Sequence, residues 1–212
     1  DFGAARRRRV VLVGSSHDFI FTKFPGCRPI LESMTRLFER GESLTDEALA
    51  QYVQTSSYSR EDLLIFFWGY VVRTVSANWL CELSDEIEVA VYGYRWESNP
   101  VVLPFYHGVL PHGEAVAALY NEVEYVLVPH PFDLQSQRLV EVSACGAIPV
   151  VYDCRDRAER PHWDDHCLWY RTKEELRACL MQRPARSSRA ICQGKSYTEF
   201  AQRILARIHA LI

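Results

Sequence analysis

Tyr125-Val-Leu-Val128, Pro129-His-Pro-Phe-Asp133-Leu-Gln-Ser-Gln137, Arg138-Leu-Val-Glu141-Val-Ser-Ala-Cys145-Gly146 and Ile148-Pro-Val-Val-Tyr152 follow one another in the chain. They read as strand, loop, helix and strand. A continuous aliphatic run marks a strand covered on both faces. Gly146 stands where a helix stops. The same alternation recurs on either side. Val10-Val-Leu-Val-Gly14-Ser-Ser16 and Ile87-Glu-Val-Ala-Val-Tyr-Gly93 read as strands, as do Val102–Gly108 and Cys167–Tyr170. Gly113–Glu122 and Thr172–Gln182 read as helices, the latter with Thr172 and Glu175 as a capping box. Strands alternating with helices of about ten residues mean βαβ units and a doubly wound parallel sheet. Residues 186–212 read as mainly helical.

Between the first and second strands the chain is helical for longer than one crossover needs. Helices are expected over about 29–40, over 45–54 with Ser43 and Asp46 as a cap, and over about 60–83 opened by Ser59-Arg-Glu-Asp62. The expected organisation is one Rossmann-like domain over 1–212 with a helical insertion over about 27–84.

The 212 residues carry a formal net charge of −3, which excludes a general nucleic-acid signature. Charge is segregated: residues 39–99 hold 11 acidic and 4 basic side chains, and residues 171–212 hold 9 basic and 3 acidic ones. Such segregation describes either a face for an anion or acidic partner, or simply solvated surfaces. The longest uncharged apolar run, Leu63–Val72, has 10 residues, half of the roughly 20 a membrane span needs. Seven cysteines without a Cys-x-x-Cys pair imply free thiols and a reducing compartment. Asp1–Arg9 has no apolar signal-peptide core, so a cytoplasmic protein is expected. Arg6–Arg9 reads as the end of an interdomain linker, with a peripheral membrane contact as the alternative. No Gly-x-x-x-x-Gly-Lys, Gly-x-Gly-x-x-Gly or His-Glu-x-x-His occurs, which speaks against ATPases, dehydrogenases and zinc proteases. His162-x3-His166, with Asp164 and Asp165, has ligand-like spacing but no clear third-ligand geometry, and no metal is expected.

Ligands of doubly wound sheets sit at the carboxyl ends of the strands. A helix starting at Gln137 aims backbone amides there, and Arg138 beside them suits a diphosphate. Glu141, one turn on, suits a vicinal diol, because a carboxylate accepts two hydrogen bonds. The same spacing also describes a plain helix-start ion pair.

Glu141-Val-Ser-Ala-Cys-Gly-Ala-Ile-Pro-Val-Val151 resembles the donor-binding segment of GT-B glycosyltransferases. More specifically, 88–208 is similar to the C-terminal half of the CgeB-like, group 1 glycosyltransferases. The likeness rests on Val91-Tyr-Gly93-Tyr-Arg-Trp96-Glu97, Tyr106-His-Gly108-Val-Leu-Pro111, Ala118-Leu-Tyr-Asn121, Arg138-x-x-Glu141 and Tyr170-Arg-Thr-x-Glu-Glu-Leu176, with Val-Leu-Val-Gly14-Ser15 matching the start of that half. The resemblance implies half of a GT-B fold that binds a nucleotide sugar without a cofactor or metal. It implies an N-terminal acceptor domain elsewhere, and little transfer by this half alone. It implies Glu141 on the ribose and Asp133 near the donor sugar, as the Glu-x7-Glu pair of retaining members, although Asp133 is one methylene shorter than the pattern. Arg138 then faces the diphosphate, His107, Gly108 and Val109 the base, Gly14 and Ser15 the phosphates, and Lys23 falls near a phosphate-binding Lys of relatives. The acceptor is a glycan, protein or lipid. The alternative is a catalytically degenerate module that binds a nucleotide or a protein partner. An epimerase on the same fold needs an acid/base pair that this half does not offer.

Overall fold

The computed structural model describes residues 6–132, 136–154, 164–184 and 187–193. Five strands, β1 (Arg7–Val13), β2 (Glu88–Tyr92), β3 (Val123–Val128), β4 (Ile148–Tyr152) and β5 (Leu168–Tyr170), form one sheet in the order β2-β1-β3-β4-β5. Every pairing is parallel: Val11 lies opposite Ala90 and Val126, and Leu127 opposite Val150. All six residues of β3 are buried, as expected of a strand roofed on both faces. Its one charge, Glu124, is answered by Arg183 at 2.7 Å. The fold is therefore α/β and Rossmann-like, doubly wound.

The helices are α1 (Ile20–Lys23), α2 (Arg28–Glu39), α3 (Asp46–Thr55), α4 (Arg60–Asp62), α5 (Gly69–Glu82), α6 (Glu114–Glu122), α7 (Gln137–Cys145) and α8 (Lys173–Cys179). Helices α5 and α8 pack on one side of the sheet, and α6 and α7 together on the other. Helix α2 turns Leu31, Met34 and Phe38 inward at helical spacing, and Phe38 stacks on Trp79 of α5 at 5.0 Å.

Between α4 and α5 the chain runs on as a π-helical segment, Leu63–Trp68, so that Arg60–Glu82 is one continuous 23-residue helix. By length and composition it is apolar enough to cross a membrane, with a mean hydropathy of 1.3, but 61% of that stretch is buried inside the fold. A search for uncharged runs alone overlooks this helix, because Arg73 interrupts the apolar run without ending it.

Several expectations change. Val102–Gly108 is not a strand. Pro104 has no N–H and a fixed φ, so Leu103–Phe105 turns as a 3-10 helix. What survives is a single bridge, Val91 to Tyr106, with His107 N–H donating to Val91 C=O at 2.9 Å. That bridge occupies a sixth position outside β2, as in dinucleotide-binding sheets. The cap of α3 is Thr45, whose Oγ1 accepts from Ala48 N–H, rather than Ser43. Ser59 does cap α4, and Thr172 and Glu175 form the capping box of α8.

The arginine run is not a linker end. Arg7–Arg9 lie in β1, and Arg6 donates to the carbonyls of Tyr120 (2.6 Å), Val123 (2.9 Å) and Cys145 (2.6 Å). It thereby satisfies the last turns of α6 and α7, which have no intrahelical donors of their own. Part of the segregated charge is spent internally as well. Lys173 pairs with Glu82 at 2.6 Å and Arg177 with Glu86 at 2.8 Å, tying α8 to the end of α5. Ser188–Cys192 is a 3-10 turn, and the rest of the expected C-terminal helix lies outside the described residues. None of the seven cysteines is in a disulfide.

Trp96 belongs to the core: it is fully buried, and its Nε1–H donates to Gly14 C=O at 2.7 Å. Gly93 sits against the same carbonyl with φ +136°, and a Cβ there would stand 2.3 Å from Gly14 O. Gly93→Ala therefore lowers stability by about 3 kcal/mol. Gly26→Ala, also at positive φ but with nothing within 4 Å, costs about 1 kcal/mol. Denaturant melts of the two variants check the difference, and equal losses would contradict the close approach.

Candidate functional site

Strands β1 and β3 are neighbours, yet the chain leaves them in opposite directions, β1 towards β2 and β3 towards β4. The loops at their carboxyl ends diverge and leave a crevice, the usual ligand position in such sheets. Its central part, about 250 Å³, is floored by Leu12, Val13, Leu127 and Val128 and walled by Arg73, His130, Arg138 and Glu141. A hollow of about 270 Å³ adjoins on the β2 side, around Gly14, Ser15, His17, Tyr94 and Val109. Another of about 500 Å³ adjoins on the far side, between α6 and α7, with Val116, Tyr120, Glu141 and Ala144. His112 lines all three, and Arg73 and Arg138 line the first two.

Helix α7 aims its first turn at this crevice. Ser136 caps it, its Oγ accepting from Leu139 N–H, and Gly146 ends it in the left-handed region at φ 75°. Arg138 donates to the Tyr120 hydroxyl at 2.8 Å and lies 3.7 Å from the Glu141 carboxylate. Tyr120 is fully buried, and burial pushes its phenol up to about 12, so it stays a neutral acceptor for Arg138. Glu141 also accepts from Gln137 Nε2 at 2.7 Å. Its side chain remains 39% exposed, which leaves carboxylate lone pairs for an incoming hydroxyl.

The second cation comes from α5. Arg73 donates through Nη1 to Ser15 C=O at 3.1 Å, while its Nε is sealed from solvent and has no partner among the described residues. No described carboxylate pairs with it. Burial, and then the nearby charge of Arg138, pull its pKa down to about 10. Gly14 makes room for it: a Cβ there would lie 3.1 Å from Nη1. His17 stands beside it with its Nδ1 sealed and without a partner among the described residues, and burial, reinforced by Arg73 and His130, lowers its pKa to about 4. The His17 imidazole is therefore neutral near pH 7, and Arg73 and Arg138 are the guanidiniums of the crevice. Two such groups converging in a low-dielectric site repel each other unless an anion comes between them.

Of the residues expected from sequence, Gly14, Ser15, Val109, Arg138 and Glu141 line this continuous crevice. His107 and Gly108 stand at its edge instead. The His107 ring stacks on Tyr92 at 5.4 Å, and the Gly108 carbonyl accepts from Gly93 N–H. Lys23 places its Nζ 3.5 Å from the centre of the Phe66 ring and lines none of the three hollows. Asp133 and His162 lie outside the described residues. Among the described residues no His, Cys, Asp and Glu cluster has the makings of a metal site.

Arg73, His17 and His112 escaped the sequence reading. One signal was available for Arg73, which is the only charged residue between Leu63 and Cys81. A lone cation in a buried apolar helix needs a reason to be there.

A search of the curated proteins finds no match for the chain. A family model described as glycosyl transferase-like matches residues 73–210, which starts at Arg73 and runs through β2, β3, β4 and β5. The match supports a glycosyltransferase module and transferase-type activity without singling out the CgeB-like branch. It covers more than half of the chain, and on that basis the chain belongs to the glycosyl transferase-like family.

Proposed function

We propose that the crevice binds a nucleoside-diphosphate sugar and that the chain is the donor-binding part of a GT-B glycosyltransferase, nearest in kind to the CgeB-like branch. The observation that carries this reading is the pair Arg73 and Arg138. These guanidiniums converge where β1 and β3 part, one with a buried Nε that has no partner among the described residues, beside the first turn of α7. A diphosphate is the anion whose charge and length suit two guanidiniums and a helix start together.

The assignments follow the chemistry of each group. Arg138, Arg73 and the α7 amides hold the diphosphate. Glu141 takes the ribose diol. Gly14 and Ser15 flank the phosphates on the β2 side, and Asp133 is assigned to the donor sugar. In transfer, the bond from the anomeric carbon to the β-phosphate oxygen breaks and its electron pair stays on that oxygen. The acceptor oxygen bonds to that carbon, and its proton passes to the departing diphosphate. Fixed positive charge around the departing diphosphate stabilises this step without a metal or cofactor. The acceptor is a glycan, protein or lipid presented by an N-terminal domain across the crevice, and the expected compartment is the cytoplasm. Residues 1–212 act as one nucleotide-sugar domain with the helices of about 27–84 inserted after β1.

Thermal shifts with UDP, GDP, CDP, dTDP and ADP test this reading. At about 100 times its dissociation constant, the right nucleotide adds roughly 2.7 kcal/mol, a shift of several degrees. A flat panel would count against a donor site. Arg138→Ala weakens that binding at least about ten-fold, the loss of a charged hydrogen-bonding partner. Arg73→Met abolishes it without lowering the melting temperature of the free protein, because an apolar side chain of similar size replaces a buried cation with no paired carboxylate among the described residues. Titration of Glu141→Ala with inorganic pyrophosphate and with the nucleotide separates the roles. Pyrophosphate affinity stays, and nucleotide affinity falls about ten-fold.

A further inference from the structure

Of all the side chains around the crevice, Tyr94 is placed most unlike its neighbours. The turn after β2 that carries it is held from several directions. Gly93 packs against the Gly14 carbonyl. Ser16 N–H donates to Tyr94 C=O at 2.9 Å, and Tyr94 N–H reaches Ser15 Oγ at 3.4 Å. The Tyr106 hydroxyl donates to Gly93 C=O at 2.7 Å, and Trp96 is buried beneath. Arg95 sits at φ 67°, the only non-glycine residue at positive φ among the described residues, and pairs with Asp18 at 3.9 Å. A non-glycine residue is kept in that conformation only where its surroundings over-determine it, and such positions cluster at ligand sites.

This fixed turn presents one large ring to solvent. Tyr94 is 60% exposed, and its hydroxyl makes no hydrogen bond among the described residues. It lies on the wall of the hollow that holds Ser15, His17 and Val109, which is itself 45% exposed. That hollow shares Arg73 and Arg138 with the central crevice and lies on the opposite side from Glu141. A ligand whose phosphates rest between the two arginines, with its nucleoside over Glu141, carries its remaining group towards Tyr94.

We infer that Tyr94 is the platform on which the sugar of the donor stacks, and that with Val109 it determines which sugar is accepted. The inference rests on the donor reading above. An amphipathic ring held at low entropy cost suits the C–H face of a pyranose, and its free hydroxyl suits the sugar's hydroxyls. Its position at the end of the anion cleft separates it from a nucleobase site. The base then falls on the α6–α7 side, with Glu141, and no longer at His107–Val109 as the resemblance implied.

The test uses the full chain, the nucleoside diphosphate selected by the panel above, and the glucose conjugate of that diphosphate, each titrated by calorimetry. For Tyr94→Ala, affinity for the conjugate falls about ten-fold, while affinity for the diphosphate alone and the melting temperature stay as in the unmodified chain. Tyr94→Phe keeps most of the stacking and loses part of the hydroxyl contribution. An unchanged conjugate affinity in Tyr94→Ala overturns the platform, and an equal loss for diphosphate and conjugate reassigns the ring to the nucleotide. A panel with no binding diphosphate sinks the donor reading itself and this inference with it, a result distinct from either outcome for Tyr94.

Discussion

The parallel direction of all five strands is the constraint on which the rest depends. A parallel strand can return only by crossing a face of the sheet, so both faces are covered and the strands are buried throughout. Crossing first to one side of β1 and then to the other leaves β1 and β3 adjacent, with their outgoing loops parting. The crevice follows from that winding. No residue has to be spent on opening it, only on furnishing it.

The furnishing comes from three distant parts of the chain. The loop after β1 brings Gly14, small enough to admit a guanidinium. Helix α5 brings Arg73, and α7 brings Arg138 and Glu141. The loops after β1 and β2 are locked together by Trp96 on the Gly14 carbonyl and by the bare Cα of Gly93. A buried cation with no paired carboxylate among the described residues costs several kcal/mol of desolvation, so the apolar packing of α5 must carry it. Val71, Val72, Val75, Trp79 and Leu80 on the same helix are all buried, each stabilising by about 1.5–3 kcal/mol. That cost is why the proposed anion site rests on Arg73.

Much of the fold was legible because its signals are local. Apolar runs at 10–13, 89–92, 125–128 and 148–152 became strands, and Gly146 and the Thr172–Glu175 box ended and began helices where their chemistry requires. The misreadings share a cause too. Val102–Gly108 has strand-like composition, but one proline without an N–H turned it into a 3-10 helix and a single bridge. Arg6–Arg9 looked like linker because no sequence pattern reveals that Arg6 reaches three carbonyls more than a hundred residues away. The acidic residues of 39–99 and the basic ones of 171–212 read either as a partner face or as solvated surfaces, and the fold adds a third use: Glu82 and Glu86 meet Lys173 and Arg177 across it.

The sequence by itself determined the α/β class, the alternation of elements, the helix start at Gln137 and the pairing of Arg138 with Glu141 on one helix face. These depend on neighbours within a few residues, where periodicity and capping act. Only the tertiary structure decided that Arg73 from a core helix joins Arg138, that Trp96 is interior while Tyr94 two residues earlier is exposed, and that Lys23 rests on an aromatic ring away from the crevice. Those outcomes turn on strand order and on backbone approaches such as Gly93 to Gly14, between residues far apart in sequence. Their energies arise from burial and from charges meeting at low dielectric, quantities that come into being only once the chain has packed.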